Sequence, residues 1–363
     1  MKIQKDLDMN FLNKKDPAIG IDIGHRGLKA VELKKTDKGI ILENFFYQDL
    51  TQGNENYPQF PNMEYSLEAA VEVNGFKNKK VCFSLGNSEM DSTEFVFPML
   101  PKKELTVAIA NELEQTLNIP LENIFFDYII FENLGSDEEI HVKVFYAMKD
   151  ILLSKIATVE TACLKPQVVD IDILALASML QYNGYTPSEE HYYVLIDIGE
   201  SQSSVALLKG SQVLYSHTTP FSFGIIIQTI MDHLEISYVE ASKIIHDYSL
   251  TTQEGLEESL REIVEQTFEH FFDSLQESVD YYLEKTKKKI DTIFLTGGGS
   301  QKADIRDIIE NHYQLKVEVV NPFRNIELFQ KSSDMLSEEK NETIIHIAPL
   351  MATAVGLALR GVA

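Results

Sequence analysis

Two blocks of the chain share one order of apolar and polar positions. The first opens with AIGIDIG, Ala18 to Gly24, and runs through GLKAVELKK to GIILENFF, Gly39 to Phe46. The second opens with YYVLIDIG, Tyr192 to Gly199, and runs through SSVALLKG to SQVLYSHTTPF, Ser211 to Phe221. Each is an apolar run ending in Asp-Ile-Gly, a short polar turn, a second apolar run, a basic turn and a third run. Alternation with β-branched residues predicts a three-strand meander in each block. A unit of this size that recurs half a chain away reads as a duplicated domain, because solenoid repeats have a much shorter period.

Between the blocks, KKVCFSLG and STEFVFPML predict strands, and PKKELTVAIANELEQTL an amphipathic helix. NIFFDYIIFEN and EIHVKVFYAM predict a strand pair, DILLSKIATVETACL a helix, QVVDID a strand and ILALASMLQYN a helix. After the second block, Phe223 to His233 and Tyr238 to Tyr248 read as helical. Apolar residues from Leu256 and Leu260 through Phe268, Phe271 and Leu275 to Tyr282 predict a long core-facing helix within Glu254 to Lys289. It starts acidic and ends in KTKKK, the polarity a helix dipole favours. DTIFLTGGG then reads as a strand, KADIRDIIENHY as a helix and KVEVVNP as a strand. Gln330 to Thr343 is polar and acidic and predicts a surface loop. The Ala- and Gly-rich APLMATAVGLALRG predicts a helix packed closely on a sheet.

Composition narrows the functional classes. The chain has 363 residues, enough for two domains, and a formal net charge of -24. So acidic a chain lacks the basic field that non-specific nucleic-acid binding needs. Cys82 and Cys163 stand far apart with no metal-ligand spacing, which fits a reducing cytoplasm. The first sixteen residues contain no apolar core of a secretory signal. Ile347 to Leu359, the longest uncharged apolar stretch, is too short to span a bilayer, so membrane association is expected only through a partner.

The chemistry gathers at three glycine-bearing turns. Asp22-Ile23-Gly24 and Asp197-Ile198-Gly199 each end a strand, and a glycine there lets the backbone approach a bound group closely. Successive N–H groups in such a turn make an anion nest, and the aspartate can hold Mg²⁺ through water or orient an attacking water. One Asp-x-Gly is a weak signal, since most such turns only connect strands. Two equivalent copies are a stronger one, because together they can grip a polyphosphate. Gly297-Gly298-Gly299 follows a strand and precedes a helix, where an adenine and ribose can lie against bare backbone. A plain strand-to-helix turn is the alternative. Neither GxGxxG, nor GxxxxGK[ST], nor GxSxG occurs.

IGIDIGHRGLKAVEL, VLIDIGESQSSVALLKG and IFLTGGGSQKADIRDII resemble the two phosphate motifs and the adenosine motif of the actin, sugar-kinase and chaperone superfamily. Within it the chain most resembles the PilM family of type IV pilus assembly, with LKPQVVDIDILAL, VEVVNPF and VGLALRG as further matching segments. FtsA, the cell-division relative, is the nearest rival, but FtsA-like chains carry an amphipathic membrane helix after the core. The resemblance implies an α/β actin-like ATPase fold, with two lobes built on duplicated RNase H-like cores and an inserted α+β subdomain. It places the first lobe at residues 17–91, 165–190 and 347–363, and the inserted subdomain at 92–164. The second lobe is placed at 191–222 and 290–346, with its helical subdomain at 223–289.

The resemblance also implies ATP and Mg²⁺ as cofactors. Asp22 and Asp197 are the implied catalytic and water-mediated metal residues. Gly24, Lys29, Gly199, Ser201, Ser203, Gly297, Gly298 and Gly299 are the implied nucleotide contacts. Two departures stand out. The first phosphate loop reads His25-Arg26-Gly27 where serine or threonine is usual. The helix that normally carries an Ala-Glu-x-x-Lys ribose clamp reads Ala241-Ser242-Lys243-Ile244-Ile245, with Glu240 and Lys243 keeping the spacing one residue out of place. They imply very slow hydrolysis or none. The family's partner is the cytoplasmic N-terminal peptide of an inner-membrane protein, PilN. Phe95 and Phe97 on one strand face, with Leu105, Ile109 and Leu113 on one helix stripe, are the candidate groove, or else the subdomain's own core. A kinase reading would draw on Asp170 and Asp172, and a filament-forming ATPase is a further alternative.

Overall fold

The computed structural model describes residues 18–24, 26–49, 67, 75–86, 89–131, 139–247, 258–286, 289–328 and 335–362. The features read at His25, at Leu256 and within residues 1–17 lie outside them. Two compact units emerge: Met1–Ala175 with Leu357–Ala363, and Leu176–Gly356.

The first unit starts with the predicted meander. β1 (Ala18–Ile23), β2 (Gly27–Thr36) and β3 (Gly39–Asp49) pair antiparallel, and β4 (Lys80–Leu85) joins β1 in parallel. The chain then leaves this sheet for β5 (Asp91–Pro98), α1 (Lys102–Leu117), β6 (Ile124–Phe131), β7 (Glu139–Met148) and α2 (Lys149–Thr161). It returns with β8 (Lys165–Ile171) parallel to β4, giving the order β3-β2-β1-β4-β8. The excursion forms its own three-stranded antiparallel sheet, β5-β7-β6. Leu105, Ile109 and Leu113 bury one stripe of α1 against Ile140, Val142 and Val144 of β7.

After α3 (Asp172–Tyr182) the second unit repeats the sheet. β9 (Tyr192–Ile198), β10 (Ser203–Lys209) and β11 (Gln212–Thr219) form an antiparallel meander. Next come the helices α4 (Phe223–Leu234), α5 (Tyr238–Asp247) and α6 (Glu258–Thr286). β12 (Ile290–Thr296), α7 (Ala303–Tyr313) and β13 (Val317–Val319) complete the order β11-β10-β9-β12-β13. Both sheets therefore place an antiparallel meander beside two parallel strands, as the duplicated sequence pattern requires. On α6, Leu260, Val264, Phe268, Phe271 and Leu275 are buried at the expected spacing, and Phe271 stacks on Phe221 with centroids 4.0 Å apart. Burying each such phenylalanine contributes about 1.5–3 kcal/mol.

One expected element differs. Most of the polar stretch read as a loop is helical, as α8 (Met335–Ile347). Its residues are mostly good helix formers, and Ile344 is fully buried while Lys340, Glu342, Thr343, Ile345 and His346 are exposed. A 3₁₀ turn leads to α9 (Ala352–Val362). Glu342–Val362 has the length and composition of a membrane span, with mean hydropathy 1.6 over its apolar window, but 61% of that window is buried within the protein. Gly361 lets α9 lie against β1 and β4, since a Cβ there would be 2.3 Å from Ala18 Cβ and 3.0 Å from Cys82 Sγ. Arg360 fastens the same helix to β8 through Asp170, with Nε donating to Oδ2 at 2.5 Å. Burial, with Asp170 nearby, pushes the Cys82 thiol up to about 12.

Candidate functional site

The first Asp-Ile-Gly turn is closed around an ion pair. Antiparallel register sets Asp22 opposite Lys29, and Lys29 Nζ donates to Asp22 Oδ2 at 2.9 Å, with both side chains largely buried. Gly24 N–H donates to the Gly27 carbonyl at 3.1 Å. A Cβ on Gly24 would lie 2.9 Å from the Lys29 ammonium, so the glycine makes room for the pair. Arg26 Nε is 3.4 Å from Asp49 Oδ2, an ion pair within the sheet. The lysine read as phosphate-facing is thus held by the aspartate read as metal-facing.

The second turn draws on a neutral side-chain donor and on backbone bonds. Thr296 Oγ1, fully buried at the end of β12, donates to Asp197 Oδ1 at 2.8 Å. The turn is tight, because a Cβ on Gly199 would lie 2.6 Å from the Gln202 carbonyl oxygen. The first two residues of α4 hold it, with Phe223 N–H donating to Gly199 O and Gly224 N–H to Glu200 O, each at 2.9 Å. Ser201 is exposed on the turn. Ser203 is fully buried, and its hydroxyl has no hydrogen-bond partner among the described residues.

The glycine triplet adjoins this second turn, and its three members differ. Gly297 sits at φ +82°, and a Cβ there would lie 2.5 Å from Ile198 O and 2.8 Å from Asp197 Oδ1. A Cβ on Gly299 would lie 2.3 Å from Ile198 Cγ2. Both therefore serve close packing on β9. A Cβ on Gly298 would meet nothing within 4 Å, so this residue alone presents bare backbone to open space. Beyond it, Lys302 caps α7 without a side-chain cap bond and pairs with Asp304 at 3.3 Å.

On α5, Ile245 is buried in the core where the family's clamp has lysine, and Ala241 is buried with it. Glu240 forms a capping box: its Oε2 accepts from the Ser237 hydroxyl at 2.7 Å and from the Ser237 N–H at 3.0 Å. Those bonds hold the Glu240 carboxyl below the usual carboxylate value. The displaced glutamate thus begins the helix.

These geometries can be set beside known proteins. The family model for the type IV pilus assembly protein PilM matches residues 20–362. This chain belongs to the PilM family. Among solved structures, the PilM-PilN type IV pilus biogenesis complex matches at 19% identity and a TM-score of 0.78, covering 96% of this chain and 100% of that one. An archaeal actin homologue, Ta0583, solved in complex with ADP, matches at 12% identity and a TM-score of 0.51, covering 95% of this chain and 99% of that one. No curated protein matches. The protein is therefore an actin-like member of the PilM family of type IV pilus assembly.

For this PilM family member the candidate partner residues separate into two groups. Leu105, Ile109 and Leu113 are at most 1% exposed and form the core of the small sheet, so they cannot line a groove for a peptide. The reason is that α1 spends its one apolar stripe on its own sheet. Phe95 and Phe97 are half-buried on β5, an edge strand in the three-strand order. Val96 on the same strand is 53% exposed. A small hollow lies nearby, where Phe145, Tyr146 and Ala147 of β7 face Leu85, Met90 and Val169. Thr296, Lys302 and the hollow were not singled out from the sequence. Thr296 precedes the glycine triplet and Lys302 follows it by three residues, which is the one local signal either carries.

Proposed function

We propose that this protein is an ATP-binding scaffold at the cytoplasmic face of the inner membrane, recruiting the cytoplasmic N-terminal tail of a PilN-like protein. What carries this reading is correspondence over nearly the whole chain with the PilM of a PilM-PilN complex, together with membership of the PilM family. The lobe and subdomain boundaries set out above are part of the proposal.

ATP is the fitting ligand because the second unit joins an anion-binding turn to a glycine cradle that only Gly298 leaves open. In this proposal Gly199 and Ser201 meet phosphate and Gly298 meets base and ribose, while Gly24 and Lys29 of the first turn are separate candidate phosphate contacts. Ser203 is fully buried, which sets its hydroxyl apart from the exposed Ser201 as a nucleotide contact. Bound Mg²⁺ would neutralise phosphate charge. In this proposal Asp22 and Asp197 are each candidate water-mediated contacts to that metal. Hydrolysis is expected to be very slow or nil, because the clamp positions on α5 serve packing and capping. Steady phosphate release by the purified protein over many turnovers would contradict this.

For the partner, the open edge of β5 and the hollow between β7 and the ends of β4 and β8 together suit a short extended segment. The test is titration of a labelled peptide covering the PilN-like tail against the full chain and its Met90→Glu variant. A drop of at least about tenfold in affinity is expected for a charge placed in an apolar hollow. Equal affinity would move the partner elsewhere.

A further inference from the structure

Ser300 follows the glycine triplet, is 2% exposed, and spends its hydroxyl on the triplet itself. Its Oγ donates to the Gly297 carbonyl at 2.7 Å, and its N–H donates to the same oxygen at 3.2 Å. The second of these bonds closes a short 3₁₀ turn, Gly298–Gln301. A carbonyl oxygen has two lone pairs, and here Ser300 supplies a donor for each. In a planar trans peptide the C=O and the following N–H point in opposite directions. Drawing Gly297 O onto buried Ser300 therefore turns the Gly298 N–H the other way, outward. Gly298 is exposed, and a Cβ on it would meet nothing within 4 Å. Its N–H makes no hydrogen bond among the described residues, because the first residue of a helical turn has no acceptor within that turn. The neighbouring backbone is fixed: Gly297 N–H donates to Pro349 O at 3.2 Å, and Lys302 N–H to Gly299 O at 3.3 Å. Sterics alone do not choose this orientation, since glycines on both sides of a peptide let it turn over.

We propose that Ser300 is a positioning residue for nucleoside binding. Its hydroxyl sets the Gly297–Gly298 peptide so that the Gly298 N–H faces the ligand as a donor to the base or ribose. This rests on the reading of Gly298 as the base and ribose cradle, and adds to it the bond that holds them and the side chain that aims that bond. Without the hydroxyl, Gly297 O keeps only the longer of its two bonds, on a peptide that glycines allow to rotate. The aimed donor is then lost, and one ordinary hydrogen bond changes affinity about fivefold. The phosphate contacts assigned to the β9–β10 turn do not use this peptide, so a ligand lacking base and ribose does not sense the change.

The experiment titrates a fluorescent ATP analogue against the full chain as wild type and Ser300→Ala, then displaces it with inorganic tripolyphosphate, with circular dichroism on both proteins. Ser300→Ala is expected to bind the analogue about fivefold more weakly and tripolyphosphate as tightly as the wild type does. A merely structural serine would weaken both ligands together. Unchanged affinity for the analogue, or an equal loss for the two ligands, overturns the proposal. Should Ser300→Ala fail to fold, the wild type decides by NMR of glycine-labelled protein. The Gly298 amide should then shift and exchange more slowly on addition of ATP, and an amide that does neither overturns the proposal. If the wild type binds no ATP analogue, the reading of the cradle itself fails and this inference falls with it. Analogue bound equally by both proteins removes this inference alone.

Discussion

The two Asp-Ile-Gly turns began from one pattern and are now built from different chemistry. In the first, Asp22 is neutralised at 2.9 Å by Lys29 on the facing strand. In the second, Asp197 accepts from a buried threonine hydroxyl, and Gly297 and Gly299 press the adenosine-type turn against Ile198. The first turn is thus held by a charge pair, which a ligand can compete for. In the second, close steric fit and neutral hydrogen bonds contribute to the turn's shape. Within its own unit, the second turn is therefore the more preorganised of the two.

That contrast predicts unequal tolerance of the glycines. Gly297→Ala and Gly299→Ala force a Cβ into β9 and should each cost about 2–4 kcal/mol, read by chemical denaturation. Gly24→Ala meets mainly the movable end of Lys29, with Gly27 O at 3.2 Å, and should cost under about 1 kcal/mol. Similar costs at all three positions would erase the distinction. Next in size, Lys29→Ala leaves Asp22 without its partner in a partly buried place and should cost about 1–3 kcal/mol, between the ranges for exposed and buried pairs. The companion change Thr296→Val keeps the shape and removes one donor from Asp197, at about 1 kcal/mol. If the threonine proved the costlier of the two, the assignment of charge to one turn and fit to the other would be reversed. Asp197→Ala removes the same bond and takes the acceptor from the buried Thr296 hydroxyl, so it should cost at least as much as Thr296→Val; it should also weaken Mg²⁺-dependent ATP binding while circular dichroism stays that of the wild type.

Much of the fold could be read from local pattern, because each meander needs only alternation and turns to declare itself. The first two strands of each block fall within about two residues of where period two places them, and α6 buries the face its apolar spacing names. What could not be read depends on who packs against whom. Leu105, Ile109 and Leu113 make an apolar stripe that looks the same whether it faces a partner or its own sheet, and only the pairing of β5, β7 and β6 decides it. Likewise three consecutive glycines look equivalent until Ile198 is placed beside two of them. The polar helix α8 was hidden because its sequence is mostly polar, with too little apolar periodicity to distinguish helix from loop.

The most direct test of the central claim uses Gly298→Val. Its Cβ points to space with nothing within 4 Å and its backbone does not need a positive φ, so the variant should fold with wild-type circular dichroism and denaturation midpoint. The added side chain would occupy the place assigned to base and ribose. Titration with a fluorescent ATP analogue should then show affinity reduced by at least about a hundredfold, the bulk of a valine excluding the ligand. Wild-type affinity in a normally folded Gly298→Val protein would contradict the account and remove the nucleotide from the second unit's glycine cradle.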